Sequence, residues 1–337
     1  MPLLGPQSPK RAWSSHGSLR NTDPNMDGII VVDKPGGMTS HDVVACVRRW
    51  SGIRRVGHAG TLDPLATGVL VLCLGQATRL SEYLMASPKQ YRATILLGVE
   101  TDTYDREGKV VRRSPVNVSR AQVEAALAEF VGRIAQVPPI YSALKRAGTP
   151  LYRLARQGRE VERQARPVEI YALQLVDWSP PQLTIEVTCS PGTYIRSLAH
   201  DLGQRLGCGA HLTALTRLAS GEFRLDQAVT LDELSAAFAE GTWQRYLLPM
   251  DTALQGLPAL HLDARQAARI RRGMALPAAP DPPGPQARAY DPDGHLLAIL
   301  KRSGDGSRWQ PEKVFHTSLK NIPLSQAKGL TDGPTRL

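Results

Sequence analysis

Six consecutive apolar residues, Val69 to Leu74, stand between Gly68 and Gly75. A run this short, bounded by glycines and carrying valine at alternate positions, predicts a strand shielded on both faces. Such a strand needs packing above and below it, which confines the chain to a sizeable sheet with other elements layered around it. The stretch Leu183 to Cys189 is the complementary case. Leu183, Ile185, Val187 and Cys189 alternate with Thr184, Glu186 and Thr188, the pattern of a strand with one face on the core. Strands and helices are mixed without strict βαβ alternation, so the predicted class is α+β, with a mainly antiparallel mixed sheet flanked by helices.

The remaining signals fit this frame. Gly28 to Asp33 predicts a strand, ended by the turn formers of Lys34-Pro35-Gly36-Gly37. A helix follows, capped by Thr39 or Ser40, with Val43, Val44 and Val47 inside and Arg48 and Arg49 outside. Tyr91 to Val99 reads as a strand and Thr101 to Gly108 as a loop, Asp-rich but without calcium-ligand spacing. Ser119 and Gln122 form a capping box for a helix whose apolar stripe is Val123, Leu127, Phe130 and Val131, with Gly132 as its stop. Ile195 to Leu206 is helical, and Thr230 with Glu233 caps another helix. The pattern restarts near Leu257. A short helix over Asp263 to Gly273, a Pro-rich break at Pro277 to Pro285, the turn Asp293-Gly294 and strand-like Leu296 to Leu300 predict a small β-rich module.

A chain of 337 residues exceeds what one ordinary core organises. The expected division is a disordered extension over 1–26, a catalytic domain over 27–255, a second domain over 256–325 and a flexible tail over 326–337. Met26 immediately precedes the first strand and is an alternative start. With 42% hydrophobic and 21% charged residues, and no run of roughly 18 apolar residues, the composition is that of a soluble globular protein rather than a membrane protein. Cys46, Cys73, Cys189 and Cys208 stand far apart, which argues against a metal cluster and for reduced thiols in the cytoplasm. The net charge of +10 favours a polyanionic partner, nucleic acid first.

One loop carries candidate chemistry: Gly57-His58-Ala59-Gly60-Thr61-Leu62-Asp63-Pro64. Two glycines free its backbone, Pro64 stiffens its exit and a single Asp is presented beside the apolar strand. On residue types alone, Asp63 serves equally well as the cap of a turn. The loop, however, resembles the catalytic motif of the TruB family, pseudouridine synthases of the tRNA T-loop type. So do, in order, Asp33-Lys34-Pro35 with Thr39-Ser40-His41, Tyr91-Arg92, Pro138 to Lys145, Gly192-Thr193-Tyr194-Ile195-Arg196, Gly207 to His211 and Leu215-Thr216-Arg217-Leu218. Together they cover most of Asp27 to about Met250. Ala59 departs from the pattern, standing where members of the family commonly carry Thr.

The resemblance implies a pseudouridine synthase fold with a PUA-like RNA-binding module at its end. It implies isomerisation of uridine 55 in the T-loop of tRNA without cofactor or metal. Asp63 takes the place of the nucleophile and Arg196 that of its cation, since a carboxylate in an apolar pocket needs a fixed positive charge to stay ionised. Tyr91 matches the ring that stacks on the flipped base and is a candidate for proton removal. Tyr194, His58 and Leu215 match residues lining the base pocket. The implied partner is the T-arm of tRNA, with no membrane, no obligatory protein partner and a monomeric enzyme. Arg48, Arg49, Arg54, Arg55, Lys145, Arg146, Arg153, Arg156 and Arg159 form a candidate backbone track, and Leu151 to Gln157 resembles an RNA-gripping helix. Two other readings compete: a tRNA-folding chaperone without chemistry, and a guide-dependent synthase of the dyskerin type.

Overall fold

The structure, a computed structural model, describes residues 26–140, 163–278 and 284–316, together with the backbone of Lys145–Arg146 and Thr149–Pro150. Met1 to Asn25, Tyr141 to Leu144, the predicted helix at Leu151 to Gln157 with Arg153, Arg156 and Arg159, and residues 317–337 lie outside the described residues. So do the side chains of Lys145 and Arg146.

The main sheet has ten strands, eight of them in the order Val229–Thr230, Gly28–Lys34, Thr67–Leu74, Ala210–Ser220, Lys89–Leu97, Gln182–Cys189, Arg166–Ser179 and Gly132–Gln136. Val56–Ala59 adds to Thr67–Leu74, and Phe223–Arg224 to Ala210–Ser220. Only the pairings of Gly28–Lys34 with Val229–Thr230 and of Thr67–Leu74 with Ala210–Ser220 are parallel. The mixed, mainly antiparallel sheet of the sequence reading is therefore present.

The Val69 to Leu74 run is buried on both faces, with no residue more than 1% exposed. Leu70, Leu72 and Leu74 pack in the cluster that holds Val43, Val44 and Val47 of helix Ser40–Ser51. Val69, Val71 and Cys73 turn the other way, onto Ala77, Leu80 and Leu84, onto Tyr290 and Ile299 of a second sheet and onto Phe315 just beyond its strand Arg308–Val314. Two layers thus claim alternate side chains of one strand, and each buried Leu or Val contributes roughly 1.5–3 kcal/mol. The second sheet runs in the order Ala259–His261, Gln286–Tyr290, Leu296–Arg302, Arg308–Val314 and Leu276–Pro277. Polar ties reinforce the junction. Arg79 Nη1 donates to Val314 O at 2.6 Å, Gln76 exchanges two bonds with the His316 backbone, and Tyr290 donates to Asp251 Oδ2 at 2.8 Å.

Several local readings change. Helix Arg120–Ala128 starts at the Ser119 capping box but ends before Phe130 and Val131, and Val131 is 47% exposed. Gly132, at φ 97°, opens the next strand instead of closing the helix. The strand expected over Tyr91 to Val99 begins at Lys89 and ends at Leu97, because Gly98 turns the chain at φ 81°. Val99–Thr101 then pairs with Val110–Arg113 in a separate hairpin.

Thr67–Leu74 changes partner along its length. Thr67 and Gly68 face Thr216 and Arg217, whereas Val71 to Leu74 face Val56 to Ala59. The buried Arg217 spans the gap: Nε donates to Val69 O at 2.7 Å and Nη2 to Gly60 O at 3.0 Å. Gly68 meets Arg217 so closely, at φ 96°, that a Cβ there would lie 2.3 Å from Arg217 O.

Candidate active site

The split in the sheet is where the Asp63 loop begins. Its backbone is held by side chains from elsewhere. Thr39 caps helix Ser40–Ser51, which leaves Ser40 free to accept from Leu62 N at 2.9 Å and donate to Leu62 O at 3.2 Å. Lys34, fully buried, donates to Pro35 O, Met38 O and Pro64 O at 2.8, 2.7 and 3.4 Å. Gly37 N also reaches Pro64 O, at 2.8 Å. The Lys34-Pro35 and Thr39-Ser40 motifs are thus the frame of the loop. Burial lowers the Lys34 ammonium to about 8, opposed by the charge of Asp63.

Arg196 enters from the first turn of helix Ile195–Arg205. Its Nε lies 2.9 Å from Asp63 Oδ2, and its Nη1 3.5 Å from Asp105 Oδ2 and 3.4 Å from Thr103 O. Burial pushes the Asp63 carboxyl above its ordinary value of 3.8; Arg196 opposes this and Asp105 adds to it. Even so, 36% of the Asp63 side chain is exposed, so the carboxylate is reachable although the protein around it is dense.

Asp105 was not anticipated. Its Oδ1 accepts from Thr103 Oγ1 at 2.7 Å and Glu107 N at 3.0 Å, which aims Oδ2 at Arg196. Tyr104 before it has φ 64°, the one positive φ outside glycine among the described residues. No spacing in the sequence signals this contact, since the two residues are joined only by the fold.

Tyr91 is buried and faces Arg217 across adjacent strands. Burial raises its phenol, with Arg217 opposing and the Asp63 charge adding to the rise, so the ring is neutral. His58 meets His41 edge-on, with ring centroids 5.2 Å apart, and burial lowers it to about 4. Leu215 is 7% exposed, and Tyr194 immediately precedes the helix of Arg196, with no capping bond from its side chain. The structure therefore joins Asp63 and Arg196 directly and sets Tyr91 within reach of the Asp63 charge. His58 is half-buried against His41, and Leu215 is buried in the strand beside that of Tyr91. Ala59 is fully buried in the second cluster, a core position rather than a pocket wall. Arg48, Arg49, Arg54 and Arg55 are all exposed, and Arg48 Nη2 donates to Val56 O at 2.9 Å.

Comparison with known proteins identifies the family. The TruB family pseudouridylate synthase N-terminal domain matches residues 48–195, the tRNA pseudouridylate synthase B C-terminal domain 196–255, and the tRNA pseudouridine synthase II C-terminal domain 257–316. The chain is 48% identical over 284 residues to tRNA pseudouridine synthase B of Burkholderia pseudomallei, covering 82% of this chain and 94% of that one. It is 46% identical over 307 residues to the protein of that name from Dechloromonas aromatica, covering 90% and 98%. Among solved structures, a Cbf5-Nop10-Gar1 complex is similar at 28% identity and a TM-score of 0.68, covering 86% of this chain and 85% of that one. Over most of its length, therefore, the chain belongs to the TruB family of pseudouridylate synthases.

Proposed function

We propose that this protein isomerises uridine to pseudouridine at position 55 in the T-loop of tRNA, with Asp63 as nucleophile. The observation that carries the reading is a reachable carboxylate paired with a buried guanidinium at 2.9 Å. The reaction breaks the bond from uracil N1 to ribose C1′, turns the base and joins C5 to C1′; the proton on C5 leaves and N1 gains one. Atoms balance without oxidant, reductant or group carrier, and one ionised nucleophile suffices. Arg196 keeps Asp63 charged, and Asp105 holds Arg196 from its far side. Tyr91 stacks on the extruded uracil and stands next to the C5 proton. His58, Tyr194 and Leu215 line the base pocket, offsetting the few kcal/mol that flipping a base costs.

Relatives named tRNA pseudouridine synthase B, over nearly their whole lengths, support tRNA as substrate. Residues 27–255 form the catalytic domain, and 256–325 the RNA-binding domain. The enzyme acts as a monomer in the cytoplasm; no helix among the described residues is long and apolar enough to cross a membrane. A guide-dependent reading draws on one observation, the likeness to Cbf5, which is solved with partner proteins. Incubation with unmodified tRNA, without metal, nucleotide, guide or partner, decides between them. Stoichiometric pseudouridine at one T-loop position supports the proposal, and no product from catalytic amounts of enzyme overturns it.

A further inference from the structure

The last residue of strand Gly132–Gln136 is a buried amide, 1% exposed. Gln136 meets the backbone of Tyr194 with both halves of that amide. Nε2 donates to Tyr194 O at 3.0 Å, and Oε1 accepts from Tyr194 N at 2.8 Å. Tyr194 O also accepts from Leu198 N at 3.1 Å, so the carbonyl is aligned with the helix. One residue beyond Gln136, Val137 O accepts from Ser197 Oγ at 2.8 Å. The end of this strand therefore grips the chain on both sides of Arg196.

We infer that Gln136 is a positioning residue for the reaction: it sets where the start of helix Ile195–Arg205 stands, and with it Arg196 and Tyr194, relative to Asp63. The inference rests on the roles proposed above for Asp63 and Arg196. Its basis is that a primary amide donates and accepts at once, matching both backbone groups of Tyr194. An ionised carboxylate only accepts, and a thioether of similar length offers neither bond in useful strength. Arg196 holds Asp63 at 2.9 Å and Asp105 at 3.5 Å, distances that leave little room for a displaced helix start.

Gln136→Glu and Gln136→Met in the full chain test this, with kcat and KM measured on unmodified tRNA. In Gln136→Glu the protonated carboxyl makes both bonds, whereas the carboxylate still accepts from Tyr194 N but sets a second, negatively charged acceptor against the acceptor Tyr194 O. Burial raises that carboxyl above the ordinary glutamate value of about 4.3. The kcat of Gln136→Glu relative to wild type is expected to fall about 10-fold or more from about pH 6 to about pH 8.5, with KM within about 2-fold. Gln136→Met should be slow throughout that range. A Gln136→Glu ratio that does not change with pH, or a Gln136→Met enzyme with wild-type kcat, overturns the inference. Wild-type protein that forms no pseudouridine overturns the underlying reading of the site, and this inference with it.

Discussion

Arg196 Nε stands 2.9 Å from Asp63 Oδ2, yet only 6% of the Arg196 side chain is exposed against 36% of that of Asp63. The cation is locked in the protein and the anion faces outward. An ion pair built only for stability gains nothing from that asymmetry, whereas a nucleophile needs its counter-charge fixed and its own oxygen accessible.

Replacing Asp63, the proposed nucleophile, should separate chemistry from binding. Asp63→Asn fills the same space but cannot attack, so product formation should drop about 10^3-fold or more with tRNA affinity within about 3-fold. Single-turnover assays and filter binding measure the two. Substantial turnover by this variant would falsify the assignment.

Removing the counter-ion should move a pH limb. Burial already raises Asp63 above 3.8, and Arg196 restrains the rise. In Arg196→Met the restraint is gone, so the carboxyl titrates higher and the acid limb of kcat/KM against pH shifts upward. The stability sign follows. A carboxyl whose folded pKa is raised favours the folded state at low pH and loses that contribution as pH rises through the folded value. Melting temperatures of Arg196→Met should therefore decline more steeply from acid to neutral pH than those of wild type. An unmoved acid limb would refute the role of Arg196.

Thr39 and Ser40 are neighbours with different duties. Ser40→Ala strips partners from the buried Leu62 N–H and C=O, costing about 1–3 kcal/mol, and should lower kcat because Asp63 is the next residue. Thr39→Ala removes only a helix cap, costing about 1 kcal/mol with activity retained. Denaturant unfolding and kinetics on the pair check the contrast; equal loss of kcat in both would contradict it.

Two glycines with positive φ make a similar comparison. Gly68→Ala places a Cβ 2.3 Å from Arg217 O and should cost about 3 kcal/mol or more, while Gly37→Ala meets nothing within 4 Å. The latter should show only the backbone penalty, about 1–2 kcal/mol. Urea midpoints would rank them.

Binding should weaken steeply with salt, since phosphate contacts release counterions. Exposed Arg48, Arg49, Arg54 and Arg55 are the described part of the expected track. If the affinity for tRNA hardly moved on a severalfold rise in salt, that track would not be one.

Periodicity made the helices and the two-faced strand legible. Apolar spacing located Val43, Val44 and Val47, and the unbroken run at Val69 to Leu74 announced cover on both sides, though not that the second sheet supplies one of the covers. Phe130 and Val131 misled because helical spacing does not reveal where a glycine with positive φ redirects the chain. At the site, Asp63 and Arg196 were found through motif resemblance, and the structure places them 2.9 Å apart. Asp105 and Gln136 were invisible. Each acts through a contact between segments distant in sequence, one carboxylate to guanidinium and the other amide to backbone, and neither leaves a local pattern.

The anchoring of the Asp63 loop also bears on mutational tolerance. Its backbone is held at Gly60, Leu62 and Pro64 by Arg217, Ser40 and Lys34, none of which belongs to the loop. The exposed side chain of Thr61 carries none of that burden. Sequence drift inside the loop should thus be cheaper than its position beside Asp63 suggests. Drift at three remote, buried polar residues should be far more damaging, and a graft of this loop into another scaffold would fail unless they travelled with it.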